Sequence, residues 1–170
     1  MNVALLVAVA LVAAQRLFEL RLSRRNERRL RSRGAVERGR GHYPFMVALH
    51  SLWFVSILVE GLLRGPEFPA AWPLFLALFL IVQPLRYWAI FSLGERWNTK
   101  ILVMPGERLV KRGPYRYLRH PNYVVVVVEI FSFPLVFGAW ITALVFSILN
   151  AALLFIRIRE EDRALSELAR

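Results

Sequence analysis

The sequence predicts an all-α integral membrane protein of about five transmembrane helices, amino terminus outside and carboxyl terminus in the cytoplasm. Three observations predict it. Apolar residues make up 57% of the 170 and fall in long blocks. The arginines that carry the net charge of +11 collect between those blocks, whereas a soluble domain of that charge would spread them along its length. Of the 23 basic residues, 21 fall in three segments, Arg16 to Arg40, Arg96 to Arg119 and Arg157 to the end, which five spans place on one side of the membrane. The excess of basic residues on cytoplasmic loops then sets the orientation.

The first span runs from Met1 to about Leu20; it lacks the positive leader and clean cleavage site of a secretory signal, so it is read as retained. A second covers about Tyr43 to Leu63. The third covers about Trp72 to Leu93, with Pro73 in a first turn where a missing N–H costs least. The fourth, about Asn122 to Phe137, and the fifth, about Ala139 to Arg157, form a hairpin turned at Gly138. Both are short against the roughly 20 residues a bilayer asks for, which predicts local thinning or close packing there. One domain, 1–170, is expected: three spans over 1–93, then a cytoplasmic loop, the hairpin and an acidic motif over 94–170. No internal repeat interrupts it.

The run "RLSRRNERRLRSRGAVERGR" is best read as setting topology and meeting anionic lipid heads. It is not interleaved with aromatic residues, so no nucleic-acid partner is expected. The absence of cysteine excludes a disulfide scaffold and a thiolate metal site, and no metal is expected. Three charges are harder to dismiss, because each costs about 2.5 to 3.5 kcal/mol in apolar surroundings. Glu60 either faces the bundle or ends its helix at the interface. Arg86, in "IVQPLRYWAIF", either snorkels or faces a cavity. Glu129 shares a helical face with Asn122, two turns away, and either serves a site or pairs with a neighbouring helix.

The chemistry concentrates at two cytoplasmic ends. The loop "NTKILVMPGERLVKRGPYRYLRHPNY" delivers a histidine, a proline and tyrosines to the start of the fourth span, where free N–H groups suit an anionic group. The other end, "RIREEDRAL", sets Arg157 and Glu161 four apart on one helical face, a spacing that alone marks only a surface pair.

Together, Gly113, Tyr115 and the string Arg119 to Tyr123, followed after one helical hairpin by "RIREED", resemble the signature of the isoprenylcysteine carboxyl methyltransferase family over about the last 90 residues. The first half, notably "RNERRLRSRGAVERGRGHYPFMVALH", is similar to a bacterial branch that accompanies type III polyketide synthases and methylates long-chain alkylpyrones or alkylresorcinols. The resemblance implies an S-adenosylmethionine site lined by Leu109, Val110, Tyr115, His120, Pro121, Asn122, Tyr123 and Glu161. It also implies that Arg157 and Arg86 face a lipidic acceptor entering from the bilayer. Arg86, Arg157 and Glu161 are the expected catalytic residues. Carboxylates and aromatic faces suit a sulfonium and an ammonium group, and N–H donors suit the cofactor's carboxylate.

Methyl transfer from a sulfonium to oxygen needs an aligned, desolvated, anionic acceptor, which Arg157 and Arg86 would stabilise. A carboxylate acceptor needs no base; for an enol or phenol, His120 or Glu161 is the expected one. The acidic motif leaves a register ambiguity of one residue among Glu160, Glu161 and Asp162. Family members often continue past it, and here the arginine-rich loop after the first span is expected to supply a lid in place of that tail, unless the lid is simply smaller. The expected location is a bacterial cytoplasmic membrane, with the site facing the cytoplasm and no obligate protein partner besides membrane lipids. Two other readings stand: a membrane sterol-type reductase using a nicotinamide cofactor, and a scaffold without activity, which leaves the order of the two motifs unexplained.

Overall fold

The computed structural model describes residues 3–65 and 68–169, so Met1 of the expected first span and the terminal Arg170 lie outside the described residues. Its elements are α1 (Val3–Ser32), β1 (Val36–Arg38), α2 (Tyr43–Arg64), α3 (Trp72–Leu93), β2 (Ile101–Val103), α4 (Pro121–Val136) and α5 (Trp140–Leu168), with single 3-10 turns at Arg40–His42, Gly94–Arg96 and Gly113–Arg116. Among the described residues, α1, α2, α3 and α5 are long and apolar enough to cross a membrane, and α4 is a shorter apolar helix. At 1.5 Å per residue the 16 residues of α4 reach about 24 Å, short of a hydrocarbon core of about 30 Å.

The distribution of side chains is that of a protein solvated by lipid. Leu63, Ile81, Phe91 and Ile148 are exposed on the helix surfaces, while Glu19, Asn26, Arg86, Glu129, Asn150 and Arg157 are buried. A protein in water that exposed this much apolar surface would aggregate; in a bilayer the same pattern is the stable one, because ionisable groups turn inward to find partners. The tightly packed half, including Leu5, Ile57, Phe133, Val136 and Phe137, lies toward the turn between α4 and α5. Gly138 makes that turn with φ of 71°, a left-handed conformation that costs a residue without a Cβ little, and the amides of Gly138 and Ala139 close back onto Leu135 and Pro134. Glu60 belongs to the same end: it pairs with Arg64 and accepts from the amides of Ile141 at 3.0 Å and Thr142 at 2.7 Å, filling the free N-terminal donors of α5.

Two elements correct the expected boundaries. The arginine-rich segment after the first span is not a loop: α1 continues through it to Ser32. Its residues are mostly good helix formers, Glu27 and Arg31 pair at i and i+4, and one face carries the small or polar Ser23 and Asn26, both buried. That face grips the segment after α3. Asn26 donates to the carbonyl of Trp97 at 2.8 Å, Ser23 Oγ accepts from the amide of Thr99 at 2.9 Å, and Lys100 pairs with Glu27 at 2.7 Å. Likewise α5 runs past the expected end of the fifth span near Arg157 to Leu168, which keeps the acidic motif on the helical face expected for it. A two-stranded antiparallel ribbon, Val36 opposite Val103 and Arg38 opposite Ile101, adds a small β element to an otherwise helical fold and ties the chain after α1 to the long loop.

Candidate active site

The α1 extension, the loop after α3 and the inner ends of α2, α4 and α5 enclose a cavity of about 910 Å³. Its mouth is built around the start of α4. Pro121 occupies the first turn of the helix and brings no N–H, His120 sits at the N-cap in a non-helical conformation, and the Tyr123 amide closes on the His120 carbonyl at 3.1 Å, which leaves the Asn122 amide without a backbone partner among the described residues. Upstream, Gly113 adopts φ of 58° and lies so close to Ser92 and Trp88 of α3 that a Cβ there would collide with the Ser92 hydroxyl. The neighbouring Arg112 donates to the carbonyl of Ser92 at 2.8 Å. These contacts pin the loop to α3 and bring Tyr115 to the cavity wall. Burial, reinforced by the Glu161 carboxylate, pushes the Tyr115 phenol well above its ordinary pKa, so it stays a neutral donor.

One hydrogen-bonded chain crosses the mouth. Arg157 Nε donates to the Tyr123 hydroxyl at 2.7 Å, and that hydroxyl donates to Glu161 Oε2. Arg157 and Glu161, four apart on α5, therefore do not pair directly; each engages Tyr123 of α4. The other nitrogens of Arg157 reach the Thr99 carbonyl at 2.8 Å and Met46 Sδ at 3.7 Å. His120 stacks on Tyr123 with ring centres 5.1 Å apart, and its Nε2 lies 3.0 Å from Asp162 Oδ1. The three consecutive carboxylates are thereby separated: Glu161 lines the cavity, Asp162 meets His120 and Arg119, and Glu160 sits with Arg38 and Arg163 on the outer surface.

Deeper in, α1, α3 and α4 contribute an ion cluster. Arg86 grips Glu129 through Nε at 3.0 Å and through Nη2, and its Nη1 donates to Glu19 at 3.2 Å. Arg16 bridges the same two carboxylates, at 2.7 Å to Glu19 and 3.0 Å to Glu129, and Gln83 donates to Glu129 at 2.7 Å. Two arginines and two glutamates cancel, which is how four charges are tolerated at this depth. Arg86 thus faces the cavity rather than snorkelling, with a good part of its fork already engaged by carboxylates.

Of the residues singled out in the sequence, Leu109, Val110, Tyr115, His120, Asn122 and Tyr123 all line this one cavity, as do Glu161, Arg157 and Arg86. Pro121 does not; it is buried beside the wall and shapes the helix start. Sequence reasoning missed Arg16, Glu19, Gln83, His50, Met46 and Thr99, which line or support the same space. For Arg16 and Glu19 a signal existed: both fall within the last turns of the first apolar block, where an ionisable residue calls for a partner.

A sequence model of the isoprenylcysteine carboxyl methyltransferase family matches residues 75–167, from α3 through most of α5. Over nearly the whole chain the protein is similar to the uncharacterized protein YpbQ of Bacillus subtilis, with 48% identity over 160 residues covering 94% of this chain and 95% of that one. It is also similar to an uncharacterized protein of Haemophilus influenzae, 26% identical over 163 residues and covering 95% of each. No solved structure matches the chain. The family's model spans the loop, the hairpin and the acidic helix that build the mouth of the cavity, and the chain belongs to the isoprenylcysteine carboxyl methyltransferase family of membrane methyltransferases.

Proposed function

We propose that the protein transfers a methyl group from S-adenosylmethionine to an oxygen of a lipidic acceptor, at the cytoplasmic face of a bacterial inner membrane. The observation that carries this reading is the Arg157–Tyr123–Glu161 chain at the mouth of a cavity walled by the family's own segment.

The residues present fit the cofactor. Asn122 Oδ1 is buried without a hydrogen-bond partner among the described residues, and the amide of the same residue, in the first turn of α4, has no backbone partner there either. An orphaned buried acceptor beside an unpaired donor suits a ligand carrying both an ammonium and a carboxylate group. Glu161 and the faces of Tyr123 and His120 suit its cation, Leu109 and Val110 its adenosyl portion, and Tyr115 remains a hydrogen donor. When bound, S-adenosylmethionine supplies an electrophilic methyl group on a sulfonium.

The chain's own side chains do the rest. Tyr123 holds Glu161 and Arg157 in fixed orientations. Arg157 keeps N–H groups for the acceptor oxygen, and the neutral Arg16–Glu19–Arg86–Glu129 cluster closes the cavity's inner end against the hydrocarbon. The exposed apolar helix faces leave the acceptor's tail in lipid while its head reaches Arg157. The acceptor is an acidic enol or phenol of a polyketide lipid, of the alkylpyrone or alkylresorcinol kind, or a lipid carboxylate. A sterol-type reductase is not favoured by the family match.

In this reading all five helices span, α4 being sheltered between α3 and α5, with the amino terminus outside. A reporter fused at the carboxyl end is expected to be cytoplasmic and one near Gly65 external; the reverse pattern removes cytoplasmic access to the cofactor site and with it the function. Purified protein in detergent is expected to bind S-adenosylhomocysteine and not a nicotinamide dinucleotide phosphate, and lipid extracts of cells lacking the gene should hold a lipid lighter by one methyl group. Binding of the nicotinamide nucleotide alone would replace this reading with the reductase.

A further inference from the structure

His50 of α2 is absorbed by none of the roles above. Its Nδ1 lies 2.8 Å from the carbonyl oxygen of Met46, one turn earlier, so Nδ1 carries the proton and Nε2 presents a lone pair. Nε2 makes no hydrogen bond among the described residues, and the ring lines the cavity. Nε2 is not sealed in the packing but opens to the cavity, where a bound acceptor can reach its lone pair.

Its neighbours bracket it within the cavity. On the same face of α2, Met46 touches Arg157 at 3.7 Å on the mouth side, and Trp53 donates to the carbonyl of Ile130, next to Glu129, on the inner side. His50 lies seven residues from the start of α2, Arg86 seven from the end of α3 and Glu129 eight from the start of α4, all counted from the cavity end of their helices. At 1.5 Å per residue that sets all three about 10 to 12 Å deep. His50 therefore stands at the level of the ion cluster, one helical turn below the Met46–Arg157 contact at the mouth, where an acceptor head held by Arg157 would reach it. The two bases considered from sequence are otherwise engaged: His120 by Asp162, and Glu161 by the Tyr123 hydroxyl.

We propose that His50 is a catalytic general base, Nε2 taking the proton from a hydroxyl acceptor within the cavity, so that the acceptor is a phenol, or an enol as weakly acidic, rather than a carboxylate. This rests on the methyl-transfer reading. A carboxylate arrives ionised at neutral pH, with no proton to give, whereas a phenol with a pKa near 10 must lose one. The acceptor O–H bond breaks with its proton passing to Nε2 and its electron pair staying on oxygen. That oxygen forms the new O–CH3 bond as the CH3–S bond breaks, with the pair left on sulfur in a neutral thioether, and the imidazolium later returns its proton to water through the mouth. Net charge is conserved, the positive charge moving from sulfonium to imidazolium. The titratable groups of the packed helices that line the cavity with His50 are Arg16 and Glu19 on α1, Tyr43 on its own helix, Arg86 on α3, Tyr123 and Glu129 on α4, and Arg157 and Glu161 on α5. Arg16 with Glu19 and Arg86 with Glu129 make the cluster neutral in formal charge.

The test uses a long-chain alkyl nitrophenol, whose ionised form absorbs visible light away from the protein, bound to the detergent-purified full chain without any methyl donor. With the native protein the bound probe is expected to ionise about one pH unit below its value in protein-free micelles, a tenfold change at fixed pH, and His50→Gln should abolish that shift. A native protein that binds the probe without ionising it overturns the proposal, as does a shift retained in His50→Gln. In turnover of an alkylphenol, His50→Gln is expected to be about 100-fold slower near neutral pH, the deficit closing as pH rises toward the acceptor's own pKa; a deficit constant with pH also overturns it. Native affinity of the variant for S-adenosylhomocysteine shows that it has folded. Failure of the methyl-transfer reading looks different: the native protein neither binds S-adenosylhomocysteine nor methylates any acceptor.

Discussion

Glu161→Gln is expected to weaken binding of S-adenosylhomocysteine by about tenfold to a hundredfold, the worth of one hydrogen bond to a charged group at a partly buried site. Glu161 Oε2 is the terminus of the chain from Arg157 through Tyr123, and an amide placed there keeps the shape while losing the charge that holds the tyrosine hydroxyl and would meet the ligand's cation. The neighbours provide the control. Asp162→Asn loosens His120, which stacks on Tyr123, so a smaller loss of a few fold is expected. Glu160→Gln acts on the outer surface beside Arg38 and Arg163 and should change nothing measurable. Titration of S-adenosylhomocysteine into the three purified variants by calorimetry checks the order; equal losses at all three would reduce the motif to a solvated helix surface.

That ordering shows what the sequence carries and where it stops. Helical phase alone put Glu161 on the face of Arg157, and the structure has it there. What phase cannot supply is the third partner: that the two residues meet on a tyrosine of another helix depends on how α4 and α5 pack, which no local pattern encodes. Gly138 was legible for the opposite reason, because a tight turn between two apolar blocks asks for a residue that tolerates positive φ. The continuation of α1 was hidden because charge density reads as loop, although Glu27–Arg31 spacing and the buried Ser23 and Asn26 follow the helical period. Pairing of three-residue strands across some sixty residues, Val36 with Val103, leaves no periodic trace at all. His50 escaped notice because a lone histidine in an apolar helix is usually a satisfied one, and its free nitrogen is visible only in three dimensions.

The deep ion cluster yields the largest expected change in stability. Arg86→Leu leaves Arg16 alone against Glu19 and Glu129, a net negative charge in an apolar surround, and breaking such a buried pair from one side costs about 3 to 5 kcal/mol. Glu129→Leu leaves two arginines against Glu19 and is expected to cost a similar amount with the opposite net charge. The double variant Arg86→Leu/Glu129→Leu keeps Arg16 and Glu19 paired at 2.7 Å and restores neutrality, so its loss should be smaller than either single loss. Thermal unfolding of the three in one detergent, followed by circular dichroism, measures the coupling. A double variant as unstable as the sum of the singles would mean that the two residues do not act as a pair. Methyl transfer by the same preparations then separates two roles for Arg86. A double variant that folds and turns over confines Arg86 to holding α1, α3 and α4 together, since charge balance alone has restored function. One that folds, binds S-adenosylhomocysteine and fails to turn over gives the Arg86–Glu129 pair a role at the acceptor beyond holding the helices, because neutrality is restored and only that pair is missing.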